Sequence, residues 1–255
     1  MALELVTVPC RKDNFAFLLH DAASGETALI DAPEAGPILA ALRAKGWRLT
    51  RILLTHHHDD HIEGVPALRA ATGCTVEGAA ADAHRLPPLD RALREGDAVT
   101  VGAEDGVVID VPGHTRGHIA FHFPASRMVF TADSLMAAGC GRLFEGTAPQ
   151  MWASLQKLAA LPPDTLIGSG HDYLTGNLAF AATLEPDNPA LILRGECLEG
   201  MRREGRLPMP STLAEELATN PFLRASLPAM KVAVGMPDAP DDRVFAEIRA
   251  RKDRF

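Results

Sequence analysis

Short apolar runs bounded by Gly, Pro, Asn or Asp fill the first two-thirds of the chain, and their β-branched and aromatic content predicts strands. These fall at 4–8, 15–20, 27–31, 51–54, 98–101, 107–111, 119–123 and 128–130, with Ser24-Gly25 as a hairpin turn between the second and third. Helical spacing interrupts them at 34–45, 61–71 and 149–161. Beyond residue 171 the β pattern stops and helices are predicted at 175–184, 189–204, 212–219 and 241–252. Asn188-Pro189 reads as a cap followed by a proline in the first helical position, and Thr212 with Glu215 as a capping box. The stretches 207–210 and 228–240 are expected to be connectors. The fold class is α+β, with a strand-rich domain over 1–171 and a small all-helical domain over 172–255.

The strand ends are where the chemistry collects. After Ile52-Leu53-Leu54 comes THHHDDHIEG at 55–64, an H-x-H-x-D-H pattern with His56 and His58 two apart and Asp60 beside His61. In extended backbone, residues two apart face the same way and neighbours diverge. One loop can therefore aim an imidazole pair at one metal and an Asp/His pair at another. Three further apolar runs end in Gly-rich turns: PGHTRGH at 112–118, FTADS at 130–134 and GSGHDY at 168–173, presenting His114, Asp133 and His171. Each is weak alone; the ordered set points to a metal site gathered at one rim of a scaffold. Nitrogen and oxygen donors suit zinc, iron or manganese and argue against a thiolate structural zinc.

Composition narrows the function classes. The 255 residues are 47% hydrophobic and 23% charged, an ordinary globular balance. The formal net charge of −8 leaves no broad basic surface for nucleic acid. Cys10, Cys74, Cys140 and Cys197 are scattered without a C-x-x-C pair and read as reduced thiols of a cytoplasmic protein. No apolar stretch approaches the ~18 residues of a membrane span, and the first residues lack the order of a signal peptide. No membrane partner is expected.

The ligand series resembles the metallo-β-lactamase superfamily, which implies an αββα sandwich. By position, His56, His58 and His114 would bind one ion, Asp60, His61 and His171 a second, and Asp133 would bridge them. His57 and Asp59 fall at variable positions, and His118 is expected to orient or pack. Over essentially its whole length the chain further resembles the hydroxyacylglutathione hydrolases, the glyoxalase II family. The matching stretches are FTADSLMAAGCGRLFEGT at 130–147, GHDY at 170–173, PSTLAEELATNPFLR at 210–224 and RARKDRF at 249–255. The last two lie outside the metal-binding stretches, so the generic ligand signature does not account for them.

The resemblance implies hydrolysis of S-(2-hydroxyacyl)glutathione thioesters, typically S-D-lactoylglutathione, in methylglyoxal detoxification. Two divalent ions about 3.5 Å apart would share a hydroxide that attacks the thioester, with Asp60 as proton acceptor. Arg142, Phe144, Tyr173, Arg249 and Lys252 match substrate-contacting positions, the cations answering the carboxylates of glutathione. Phe144 stands where some relatives have Tyr, Asp172 where Glu is commoner, and Ala132 where Gly is usual; none removes a ligand. A monomer acting on a small-molecule thioester is expected. The alternatives are a mononuclear-iron persulfide dioxygenase or a non-catalytic metal-binding member of the same fold.

Overall fold

The computed structural model describes residues 2–255, which divide into two compact units. The first runs to Val111 and resumes over Arg116–Ala132; the second comprises Pro112–Thr115 and Asp133–Phe255.

The first unit opens with an antiparallel meander, β1 (Glu4–Cys10), β2 (Asn14–His20) and β3 (Glu26–Ile30). The same sheet continues in parallel through β4 (Arg48–Leu54), β5 (Thr75–Ala79) and β6 (Arg91–Leu93). Parallel neighbours require crossovers. These are α1 (Ala35–Lys45) before β4, then α2 (Asp59–Ile62) and α3 (Val65–Thr72) before β5. Ile38 and Leu42 of α1 and Val65 and Leu68 of α3 bury against Leu18, Leu29, Ile52 and Leu54 of the sheet. A second, antiparallel sheet follows: β7 (Ala98–Val101), β8 (Glu104–Asp110), β9 (Ile119–Phe123) and β10 (Met128–Ala132). Phe17 of β2 and Phe130 of β10 meet with ring centroids 5.2 Å apart, so the two sheets share an aromatic core. Every residue of β2 is buried, which explains why it reads as a continuous apolar run rather than an alternating one.

One expectation is corrected in this unit, and two strands are added to it. The helix expected over 61–71 is two helices, broken at Glu63-Gly64, because the Gly64 N–H turns away to the carbonyl of Ala32. A Cβ on Gly64 would lie 2.8 Å from that carbonyl oxygen, so the break demands glycine. Strands β5 and β6 were not expected at all. β5 carries a glycine and no alternation, and β6 has three residues; parallel pairing onto a buried neighbour makes them strands.

The second unit starts with the small hairpin β11 (Leu135–Met136) and β12 (Gly139–Cys140). Then come α4 (Ala148–Ala159), β13 (Leu166–Ser169), α5 (Leu174–Leu184) and α6 (Pro189–Arg203). The chain closes with β14 (Ser211–Thr212), α7 (Leu213–Thr219), α8 (Pro228–Ala233) and α9 (Asp241–Arg254). The Asn188 cap and the Thr212/Glu215 capping box form as expected. The strand pattern does not end at 171, since Ser211 and Thr212 pair antiparallel with β13. The 228–240 connector contains α8, started by Pro228 in its first turn and anchored by buried Met230. No helix among the described residues is long and apolar enough to cross a membrane.

A buried polar network ties the second unit together. Glu216 of α7 is wholly buried. It accepts from the Arg194 guanidinium of α6, from Ser211 Oγ at 2.8 Å, from Asn220 Nδ2 at 3.1 Å and from the Ala138 N–H at 2.8 Å. Asn220 Nδ2 also reaches the carbonyls of Met136 and Gly139, so the helices hold the β11–β12 hairpin through one carboxylate and one amide. Glu216→Ala leaves Arg194 buried and uncompensated. The expected cost is about 3–5 kcal/mol, read as a lowered guanidinium chloride midpoint at unchanged slope.

Candidate functional site

The first unit carries four of the seven expected ligands on the loop and short helix after β4. Thr55 and Asp31 set their geometry. Asp31 follows β3 in a left-handed conformation, φ 56°, which a short polar side chain tolerates. Its carboxylate accepts from the Thr55 N–H and the Thr55 hydroxyl, each at 2.8 Å, and lies 2.8 Å from Nδ1 of His61. A carboxylate only accepts, so His61 Nδ1 carries the proton and Nε2 keeps its lone pair. With its hydrogen spent on Asp31, Thr55 Oγ1 accepts from Nδ1 of His56 at 3.0 Å, which puts the lone pair of the His56 ring on Nε2. That Nε2 stands 3.1 Å from Nδ1 of His58, a spacing two ligands of one ion at about 2.0–2.1 Å would adopt. His118 stacks on His56 with centroids 4.6 Å apart, the packing role expected of it. His57 turns to Asp82 at 3.1 Å, and Asp59 is exposed.

The second unit carries His114, Asp133 and His171. Nδ1 of His114 donates to the Arg142 carbonyl at 2.8 Å, again leaving a lone pair on Nε2. Oδ2 of Asp133 lies 3.4 Å from Nε2 of His114 and 3.4 Å from Nε2 of His171. Likewise Nε2 of His61, in the first unit, lies 3.8 Å from Oδ2 of Asp60. A lone pair confronting a carboxylate oxygen is repulsive unless a proton or a metal ion lies between them. The donor set, all imidazole and carboxylate, fits a divalent transition ion. Ala132, ahead of Asp133, is buried at φ 41°, a strained conformation for a residue with a Cβ. Gly141 is held closer still: a Cβ there would stand 2.0 Å from the Asp133 carbonyl oxygen and 2.8 Å from Nδ1 of His114.

Within the same unit, His114 and Asp133 line a cavity of about 650 Å³, within the ordinary range for small-molecule sites. All five residues expected to contact substrate, Arg142, Phe144, Tyr173, Arg249 and Lys252, line it as well. Phe144 is exposed and tilts over the His114 ring at 5.2 Å, and Tyr173 stacks on His171 at 4.7 Å. Arg249 is buried, donating to the Cys140 carbonyl at 2.8 Å and pairing with Asp253 at 2.9 Å. Lys252 donates to the Gly176 carbonyl at 2.9 Å. Burial, then the charges of Arg249 and Arg142, hold the Lys252 ammonium pKa below the usual 10.5. The thiol of Cys140, on the cavity wall, is pushed up to about 11 by burial and is no nucleophile at neutral pH. Asp172, another wall residue, pairs with Arg202 at 2.6 Å.

Sequence reasoning missed Asp31, Asn14 and the sulfur-bearing wall formed by Met136 and Cys140. Asp31 had one available signal, an acid directly after a buried strand, as at Asp133; the others had none. Two substitutions probe the supports. Asp31→Asn removes an acceptor from His61, and metal affinity should fall about 10–100-fold in competition with a chelator. Gly141→Ala should cost about 100-fold in kcat/KM, because Asp133 or His114 must move.

Comparison with known proteins agrees with the geometry. Residues 15–171 match the metallo-β-lactamase superfamily model, and residues 172–255 match the hydroxyacylglutathione hydrolase C-terminus model. A hydroxyacylglutathione hydrolase from Fuscovulum blasticum is 78% identical over all of this chain and all of its own. Another from Cereibacter sphaeroides is 67% identical, also with complete coverage of both chains. Among solved structures, the BLEG-1 B3 metallo-β-lactamase superposes with a TM-score of 0.68 at 22% identity, covering 86% of this chain and 99% of its own. That last likeness concerns the fold alone. Identity of this extent along the entire length, together with a match to both family models, makes this chain a member of the hydroxyacylglutathione hydrolase family.

Proposed function

We propose that this protein hydrolyses S-(2-hydroxyacyl)glutathione thioesters, S-D-lactoylglutathione being the typical substrate, to glutathione and a 2-hydroxy acid. One observation carries the reading: a single cavity is lined both by two of the expected metal ligands and by three cations, Arg142, Arg249 and Lys252. A tripeptide thioester needs both, since its reacting carbonyl is neutral and its ends are carboxylates. In this reading residues 1–171 supply the metal chemistry and 172–255 most of the substrate recognition, in a monomeric cytoplasmic enzyme.

The proposed ligands are His56, His58 and His114 for one ion, Asp60, His61 and His171 for the other, and Asp133 for both, with zinc as the first candidate. Such ions, when bound, lower the pKa of water toward neutrality and polarise the thioester carbonyl. The protonated Nδ1 atoms of His56, His61 and His114 keep the opposite ring nitrogens available as donors. Asp60 is assigned the proton of the attacking water. Water oxygen adds to the carbonyl carbon, the C–S bond breaks, and glutathione departs as a thiolate. A thiol pKa near about 8.5 means that no general acid is needed. Lys252 and Arg249 take the glycine carboxylate, Arg142 adds charge at the rim, and Tyr173 holds the His171 ring plane by stacking.

The persulfide dioxygenase alternative is disfavoured by residues 172–255, which match the hydroxyacylglutathione hydrolase C-terminal model. Hydrolysis of S-D-lactoylglutathione should be lost on chelation and restored by zinc; full activity in chelator would overturn the reading. Arg249→Ala should raise KM about ten-fold or more, the loss of one charge-assisted contact. Because the Lys252 pKa is lowered, its charge fades before pH 10.5 is reached. S-methylglutathione should therefore begin to bind less well at a lower pH than an ordinary lysine would dictate, whereas Lys252→Arg, charged throughout, should bind with a flatter profile.

A further inference from the structure

Asn14 stands at the start of β2, paired with Cys10 across the connection from β1, and is 4% exposed. Its side-chain amide reaches across to α2. Nδ2 donates to the backbone carbonyl of Asp60 at 3.0 Å and to Oδ2 of the same residue at 3.1 Å. An amide nitrogen has two hydrogens, and here both go to one residue.

The backbone explains why that carbonyl needs a donor. In a continuing helix the Gly64 N–H would close onto Asp60; instead it goes to Ala32 at 2.8 Å, and α2 stops after one turn. Asn14 takes the carbonyl that the broken helix leaves behind, and in doing so grips the carboxylate of the same residue. Two hydrogen bonds from one rigid amide fix the Asp60 side chain against its own backbone.

We propose that Asn14 is a positioning residue for Asp60, holding its carboxylate toward the ion on the Asp60/His61 side and leaving the His56/His58 side to other supports. Those other supports are Thr55 and His118, neither of which involves Asn14. The inference rests on the two-ion reading given above.

Cobalt(II) titration of the metal-free protein, followed by visible absorbance, tests it. Wild type should take two equivalents. In Asn14→Ala the first should bind as in wild type and the second about ten-fold or more weakly. Asn14→Asp, which keeps the shape but loses the donors, should do the same; the metal-free unfolding midpoint should fall in both variants, because the Asp60 carbonyl loses its donor. In zinc-loaded enzyme kcat should fall while KM for the thioester changes less than about two-fold, since the recognition cations are untouched. Two equivalents in wild type with an unchanged second one in both variants would overturn the proposal alone. Equal weakening of both ions would also overturn it, because that is what general loosening of the loop produces. A wild-type titration that stops at one equivalent would overturn the two-ion reading, and this inference with it.

Discussion

The protonation pattern of the first histidine loop depends on Asp31. One carboxylate at the end of β3 accepts from the backbone and hydroxyl of Thr55 and from His61. Through the Thr55 hydroxyl it also dictates the tautomer of His56. An imidazole binds a metal with one nitrogen only if the other holds the proton, so the chemistry of the loop is decided before any ion arrives. Asp31 can do this because it is buried, where its hydrogen bonds are not in competition with water.

The same logic recurs with different parts. A backbone carbonyl, that of Arg142, settles His114. A side-chain amide, that of Asn14, holds Asp60. Around these, glycine appears where only a missing side chain fits: at Gly64, where the helix breaks, and at Gly141, pressed against the Asp133 backbone. Ala132 departs from this economy, since it adopts a left-handed conformation with a Cβ present. The strain is tolerated because strand β10 and the turn after it are buried.

The second unit solves a different problem, how an acidic protein can present cations to an anionic ligand. Its cavity wall gathers Arg142, Arg249 and Lys252. Arg249 is buried against the Phe222 ring at 5.0 Å and paired with Asp253, while Lys252 sits near the Phe180 and Phe255 rings. Aromatic faces support these charges where water is scarce. The cost of burying them is offset by Asp253 and by backbone carbonyls rather than by a general positive field.

Much of this was legible in the chain. Strands β1–β4 and β7–β10, the caps of α6 and α7 and the seven candidate ligand residues follow from apolar run length, turn residues and spacing. Those signals are local, and each is set by a few consecutive residues. What stayed hidden is what depends on distant partners. β5, β6 and β14 exist because a neighbouring strand offers hydrogen bonds, and α8 because a core accepts Met230. Asn14 and Asp31 are ordinary polar residues in sequence; they acquire roles only when β2 and β3 bring them beside α2 and its loop. By itself the sequence determined which side chains could hold a metal. Tertiary structure alone decided which nitrogen of each carries the proton, because that depends on acceptors far along the chain.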